Sequence, residues 1–168
     1  MERLIPLRPQ VVASDTTLAY LAGFFDGEGS VTVGRKTRST GDRSYFLQIS
    51  ITQPSLPALE VYQSYFGGHV GSVKRPAGMS PTWQWSPHQA GKTLFLSSLL
   101  PFIVLKKQQF ERALEFLEAY RLSSSRPSYR LSRAAKDVGE KYASEFSKLN
   151  QNAFNTRGGG RRLRPRRK

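Results

Sequence analysis

Apolar and polar positions fall into blocks of two periods along the chain. Leu18, Leu21, Ala22 and Phe25 recur at helical spacing after Ser14 and Asp15, either of which can cap a helix start. Glycines 27 and 29 end that helix. Val31 to Lys36 reads as a strand, and Thr37 to Arg43, with Ser-Thr-Gly-Asp inside it, as a turn. From Ser44 to Gln53 the period becomes two. Tyr45, Leu47, Ile49 and Ile51 point one way, while Ser44, Phe46, Gln48, Ser50 and Thr52 point the other. Pro54 breaks the strand, Ser55 can cap a helix over Leu56 to Phe66, and Gly67-Gly68 stop it. Val70 to Lys74 and Thr82 to Ser86 predict a second hairpin, with Val73, Trp83 and Trp85 on an apolar face and Ser72, Lys74, Thr82, Gln84 and Ser86 on a polar one. A third helix is expected over about Gln89 to Leu100 and a fourth over Lys106 to Leu122. Ser132 to Asn150 reads as a polar helix with few core residues, hence peripheral.

The expected order is α-β-β-α-β-β-α followed by further helices. That is an α+β domain whose antiparallel sheet is covered by helices on one face and polar on the other. Residues 1–13, with prolines at 6 and 9, form an irregular arm; 14–150 make one domain; 151–168 are a basic tail expected to be disordered when unbound.

Charge sharpens the picture. The chain has 168 residues, 26 Lys+Arg against 12 Asp+Glu, and a net charge of +14. Arg157 to Lys168 hold seven bases and no acid, yet the remaining body is basic too. A polyanionic partner is the natural reading. A membrane is not, because no stretch approaches the roughly 20 apolar residues of a span. No long apolar region follows Met1, so an intracellular protein is expected, in the cytoplasm of an archaeon or bacterium or in an organelle. Without cysteine, disulfides and thiolate metal sites are excluded. His69 and His88 are lone residues beside turns, for which structural roles are expected.

Against this basic background, Asp26-Gly27-Glu28-Gly29 places two acids at a helix C-terminus, where cations are favoured. The surrounding Tyr20-Leu21-Ala22-Gly23-Phe24-Phe25-Asp26-Gly27-Glu28-Gly29-Ser30 resembles the signature of LAGLIDADG homing endonucleases. Ile51-Thr52-Gln53 is similar to that family's "V-T-Q". Leu99 to Gln109 is similar to its "L-x-P-F-L-x-x-K-x-x-Q" segment. The resemblance covers roughly Leu18 to Leu122 and implies the αββαββα core, whose antiparallel sheet forms a DNA-binding saddle.

Only one such motif occurs, and single-motif members of the family are homodimers. The small residues Ala19, Ala22 and Gly23 could let two motif helices approach closely about a two-fold axis. Two copies of Glu28 would then converge, and Mg²⁺ suits a site of few carboxylates plus phosphate oxygens, with Mn²⁺ a plausible substitute. The resemblance makes Glu28 the metal ligand, assisted by the Gly27 carbonyl. It leaves Asp26 to shape the turn through local backbone bonds. It sets Gln53 beside the catalytic waters and gives Lys106 the polarising or transition-state-stabilising role. Some relatives carry a further basic residue shortly after the glutamine; Pro54 to Tyr62 has none, and Lys107 or Arg75 could substitute.

For the polar faces, Thr32, Lys36, Arg38, Ser44, Phe46, Gln48, Ser50, Ser72, Lys74, Thr82 and Gln84 are the candidates for base contacts in the major groove. Phe46 is unusual there and could meet a thymine methyl. The implied activity is a site-specific, metal-dependent double-strand DNA endonuclease. Acting on a long pseudo-palindromic site, it would leave short 3′ overhangs and spread the intron that encodes it. The alternatives are an RNA-binding maturase of the same fold, with intron RNA as partner, and a non-cutting DNA-binding protein.

Overall fold

The Ser14 side chain begins the first helix by accepting the Thr17 N–H at 3.2 Å, the capping bond that a serine before an apolar-periodic run predicts. In a computed structural model that describes residues 13–37, 39, 41, 43–76, 78–123 and 132–156, this helix, α1, runs Asp15–Glu28. It leads directly into β1 (Gly29–Thr37) and β2 (Arg43–Gln53). Helix α2 (Leu56–Phe66), β3 (His69–Val73) and β4 (Thr82–Ser86) follow. A 3₁₀ turn, Gln89–Gly91, precedes α3 (Lys92–Leu99). Helices α4 (Lys107–Ser123) and α5 (Arg133–Thr156) complete the described chain. Residues 1–12 of the expected arm and 157–168 of the expected tail lie outside the described residues.

The strands form one antiparallel sheet in the order β1-β2-β4-β3. Pairing of Val31 with Ile49 and Val33 with Leu47 puts these residues on the helix-covered face. An aromatic cluster fills the space between helices and sheet. The Phe95 ring lies 5.2 Å from Phe25, 5.3 Å from Trp85 and 5.9 Å from Phe110, centroid to centroid. The polar tips are satisfied: Trp85 Nε1 donates to the Gly67 carbonyl at 2.9 Å, and the Tyr62 hydroxyl to the Leu21 carbonyl at 2.6 Å.

Several expectations are corrected. Helix α5 is not peripheral. Ala135, Tyr142, Ala143 and Phe146 are buried on one side of it, and it packs on α4, β1 and β2. Its Gly139 lies against Tyr45, where a Cβ would stand 2.2 Å from the ring. The helix also continues through Thr156, past the end expected for it at Asn150. Ser55 occupies the N-cap of α2 without a side-chain capping bond, and Pro57 supplies the helix-compatible start instead. The expected third helix opens with the 3₁₀ turn before α3 begins.

Register also reverses two residues of the second hairpin. Ser72 pairs with Trp83, and Val73 with Thr82. Directly opposed residues share a face. Ser72 therefore has the parity of Trp83 and Trp85, and Val73 joins the polar face.

Candidate functional site

The site begins with two side chains exchanged between helix ends. The Asp26 carboxylate is buried, yet it faces the opposite end of another helix. Its Oδ2 accepts the Val104 and Leu105 N–H groups at 2.8 and 3.0 Å, and its Oδ1 accepts that of Lys106 at 2.9 Å. These donors lead into α4, whose N-terminus attracts negative charge. In return, the Lys106 ammonium donates to the Phe25 carbonyl at 3.2 Å and to the Asp26 carbonyl, at the negative end of α1. Each helix end thus receives the charge that its dipole favours. The expectation that Asp26 bonds local backbone is corrected: its backbone partners are 78 to 80 residues away.

Two residues on, Glu28 is exposed at the last position of α1. Gly29 caps the helix in an extended conformation, its N–H returning to the Phe25 carbonyl. Room rather than backbone freedom requires glycine there, since a Cβ would stand 2.5 Å from the Phe25 ring. Gly27 is exposed, with nothing within 4 Å of the place where a Cβ would be. Gly29 pairs with Ile51, so Glu28 and the half-exposed Gln53 lie at the same end of the β1–β2 ladder. Lys106 bonds the carbonyl one residue before Gly27. Glu28, Gly27, Gln53 and Lys106 therefore lie toward one end of the sheet, Gln53 with the helix-face parity of its partner Trp83.

Among the described residues, no group of three or more His, Cys, Asp or Glu could hold a metal ion. An exposed Glu28 with an open glycine beside it fits a cation that takes its remaining ligands from phosphates and a second copy of the chain. Of the two proposed extra bases, Lys107 begins α4 beside Lys106 with its side chain exposed, and Arg75 is exposed between β3 and β4.

The polar sheet face extends from this end. Thr32, Lys36, Ser44, Phe46, Gln48 and Gln84 share it by register, and Thr52 Oγ1 accepts from Gln84 Nε2 at 3.3 Å. Two candidates are covered, and a third, though exposed, changes face. Ser50, 7% exposed, is a short side chain covered in mid-sheet. Thr82, also 7% exposed, turns its hydroxyl to the Ser80 carbonyl at 3.3 Å. Ser72 has helix-face parity. Lys74 is exposed just beyond β3, and Arg38 lies outside the described residues. Sequence reasoning omits Ser30 and His69, both exposed and both on the polar face by register. The parity of Ser30 with Thr32 was a usable signal.

The small-residue stripe is also redrawn. Ala22 is 0% exposed and belongs to the core, so it is unavailable to a partner. The outward face of α1 carries Thr16, Ala19, Tyr20, Gly23 and Gly27 instead. Val104 and Leu105 expose apolar side chains from the loop that Asp26 holds.

Residues 21–100 match the family model for the LAGLIDADG endonuclease. Among curated proteins no sequence matches the chain. The fold is similar to that of the homing endonuclease I-CvuI in complex with a DNA target, at 17% identity and TM-score 0.53, over 82% of this chain and 94% of that one. An archaeal intron-encoded homing endonuclease, I-Vdi141I, complexed with DNA, aligns at 21% identity and TM-score 0.53, over 82% of this chain and 98% of that one. The group I intron-encoded I-CeuI, also complexed with DNA, aligns at 16% identity and TM-score 0.55, over 77% and 67%. At these identities the structural likenesses speak for the fold. The matched segment and the single Tyr20–Ser30 motif add a sequence likeness to the LAGLIDADG endonuclease family.

Proposed function

We propose that the chain is a homodimeric, divalent-metal-dependent DNA endonuclease that makes a double-strand break at a long pseudo-palindromic site. The observation that carries this reading is the division of labour in the motif. Asp26 and Lys106 are engaged at helix ends, while Glu28 remains exposed at the head of a polar sheet face. The exposed stripe of α1, continued by Val104 and Leu105, supports a two-fold seam that brings two Glu28 carboxylates together. The polar sheet faces of the two copies would then read the major grooves of the half-sites.

Glu28 and the Gly27 carbonyl would hold Mg²⁺, which when bound stabilises charge on the attacking and leaving oxygens. Gln53, at the same end of the ladder, would orient the attacking water by accepting or donating a hydrogen bond. The Lys106 ammonium adds positive potential beside the scissile phosphate, where negative charge develops as water attacks phosphorus. Lys107 is the nearer in sequence of the two bases that could extend the water network. Cleavage across the minor groove would leave short 3′ overhangs, and the encoding element would be an intron. Among the described residues no helix is long and apolar enough to cross a membrane.

Supercoiled DNA carrying the uninterrupted host sequence, incubated with Mg²⁺, tests the proposal. Wild type should linearise it, and Glu28→Gln should bind the same DNA without cutting. Tight binding by wild type with no cleavage in Mg²⁺ or Mn²⁺ would instead indicate the maturase or a non-cutting binder.

A further inference from the structure

Four rungs of the β1–β2 ladder turn toward the polar face: Ser30–Ser50, Thr32–Gln48, Gly34–Phe46 and Lys36–Ser44. Three of them carry hydrogen-bonding side chains. The Gly34–Phe46 rung carries none, and Phe46 is 42% exposed, on the side away from the core. A large apolar group kept in water on a polar face loses the stabilisation that burial would provide.

The ring is nevertheless held in place. It lies across Gly34 so closely that a Cβ there would stand 2.6 Å from Phe46 Cζ. Glycine is thus the residue that seats the ring on the strand, as an aromatic covers a glycine in engineered sheets. The seat presents an apolar surface with hydrogen-bonding rungs on either side. In a major groove the apolar feature of a base edge is the C5-methyl of thymine, and a phenyl ring can meet it. 5-Methylcytosine carries the same methyl, and a phenyl ring does not distinguish the O4 of one base from the N4 of the other.

We infer that Phe46, seated on Gly34, is a specificity-determining residue that reads the C5-methyl group of one pyrimidine in each half-site. The inference rests on the nuclease's use of this sheet face for DNA. Rungs are about 6.6 Å apart along the ribbon, close to two base-pair rises. The methyl-read position is therefore flanked, about two base pairs away on either side, by positions facing Thr32–Gln48 and Lys36–Ser44.

The test is selection of bound duplexes from a randomised library by the full chain, followed by binding of single-position variants of the selected site. One position per half-site should demand thymine. Replacing it by uracil, which removes only the methyl, should weaken wild-type binding about fourfold, the factor for one buried methyl. 5-Methylcytosine should bind within about twofold of thymine, by the same methyl bookkeeping. Phe46→Leu should keep the thymine-over-uracil ratio and Phe46→Ala should bring it to about one, with other positions still selected. No selected sequence at all would overturn the DNA-reading face and this inference together. Selection in which thymine and uracil bind equally at every position, or a ratio unchanged in Phe46→Ala, would overturn this inference alone. The uracil comparison needs no variant and stands even if Phe46→Ala fails to fold.

Discussion

Replacing Asp26 with alanine separates the two acids of the motif. The substitution removes the acceptor of three backbone N–H groups, from Val104, Leu105 and Lys106. The Lys106 ammonium keeps its bonds to the α1 carbonyls, since these are to the backbone. Hydrogen bonds to a charged group contribute about 1.5–3 kcal/mol each, but one carboxylate shared by three donors in a partly exposed loop gives less than their sum. A loss of about 3–5 kcal/mol, below the sum of three such bonds, is therefore expected. A domain of this size shifts by roughly 2–4 °C per kcal/mol, so Tm should fall by about 6–20 °C. Glu28→Gln touches no such arrangement and should leave Tm within about 2 °C of wild type, as exposed substitutions do. Differential scanning calorimetry of both variants decides the matter. An Asp26→Ala Tm within about 3 °C of wild type would refute the view that this carboxylate joins α1 to α4.

Three other perturbations probe separate parts of the molecule. Gly139→Ala puts a methyl 2.2 Å from the Tyr45 ring and should cost about 1–3 kcal/mol by chemical denaturation, and less than that when made in a Tyr45→Ala background. Glu140 accepts from the Tyr45 hydroxyl at 2.6 Å and from Arg35 at 2.7 Å, and its carboxyl is held below the ordinary carboxylate range, chiefly by the tyrosine bond. A depressed acid contributes stability above its unfolded value and loses it as pH falls through the folded one; Tyr45, pushed up by burial and then by Glu140, adds a loss only as pH rises beyond about 10. The Tm difference between wild type and Glu140→Gln should thus be flat from about pH 6 to 9 and shrink below about pH 4; a difference unchanged at acid pH would remove Glu140 from the brace. Gly23→Glu places a carboxylate on the exposed face of α1, where no atom of the described residues lies within 4 Å of the added Cβ, and should convert a dimer to a monomer by light scattering; an unchanged dimer mass would move the seam elsewhere.

What the sequence revealed and what it hid follow from the range of the interactions. The bounds of α1, β2, α2 and β4 were legible because caps, glycines and alternation are local signals. Helix α5 was misjudged because its buried face includes Ala135, Gly139 and Ala143, which carry little hydrophobic signal despite their helical spacing. The five-residue strands β3 and β4 are too short for alternation to fix a face, and their pairing register reversed Ser72 and Val73. Ala22 differed from Ala19 and Gly23 only by its angular position on α1, which set it in the core. The partners of Asp26 were hidden because they lie in a segment 78 to 80 residues away, where no local pattern could point to them. The motif marked both acids; only the fold separated the one that holds helices from the one left exposed.

That separation is tested most directly by locating a bound cation in crystals of the chain with its DNA site and Ca²⁺, which prefers oxygen ligands at about 2.3–2.6 Å. Metal is expected at that distance from Glu28 carboxylates contributed by two copies of the chain across paired α1 helices, with Asp26 still on the amides of residues 104–106. Metal coordinated by Asp26, or copies of the chain paired through a face other than α1, would contradict it.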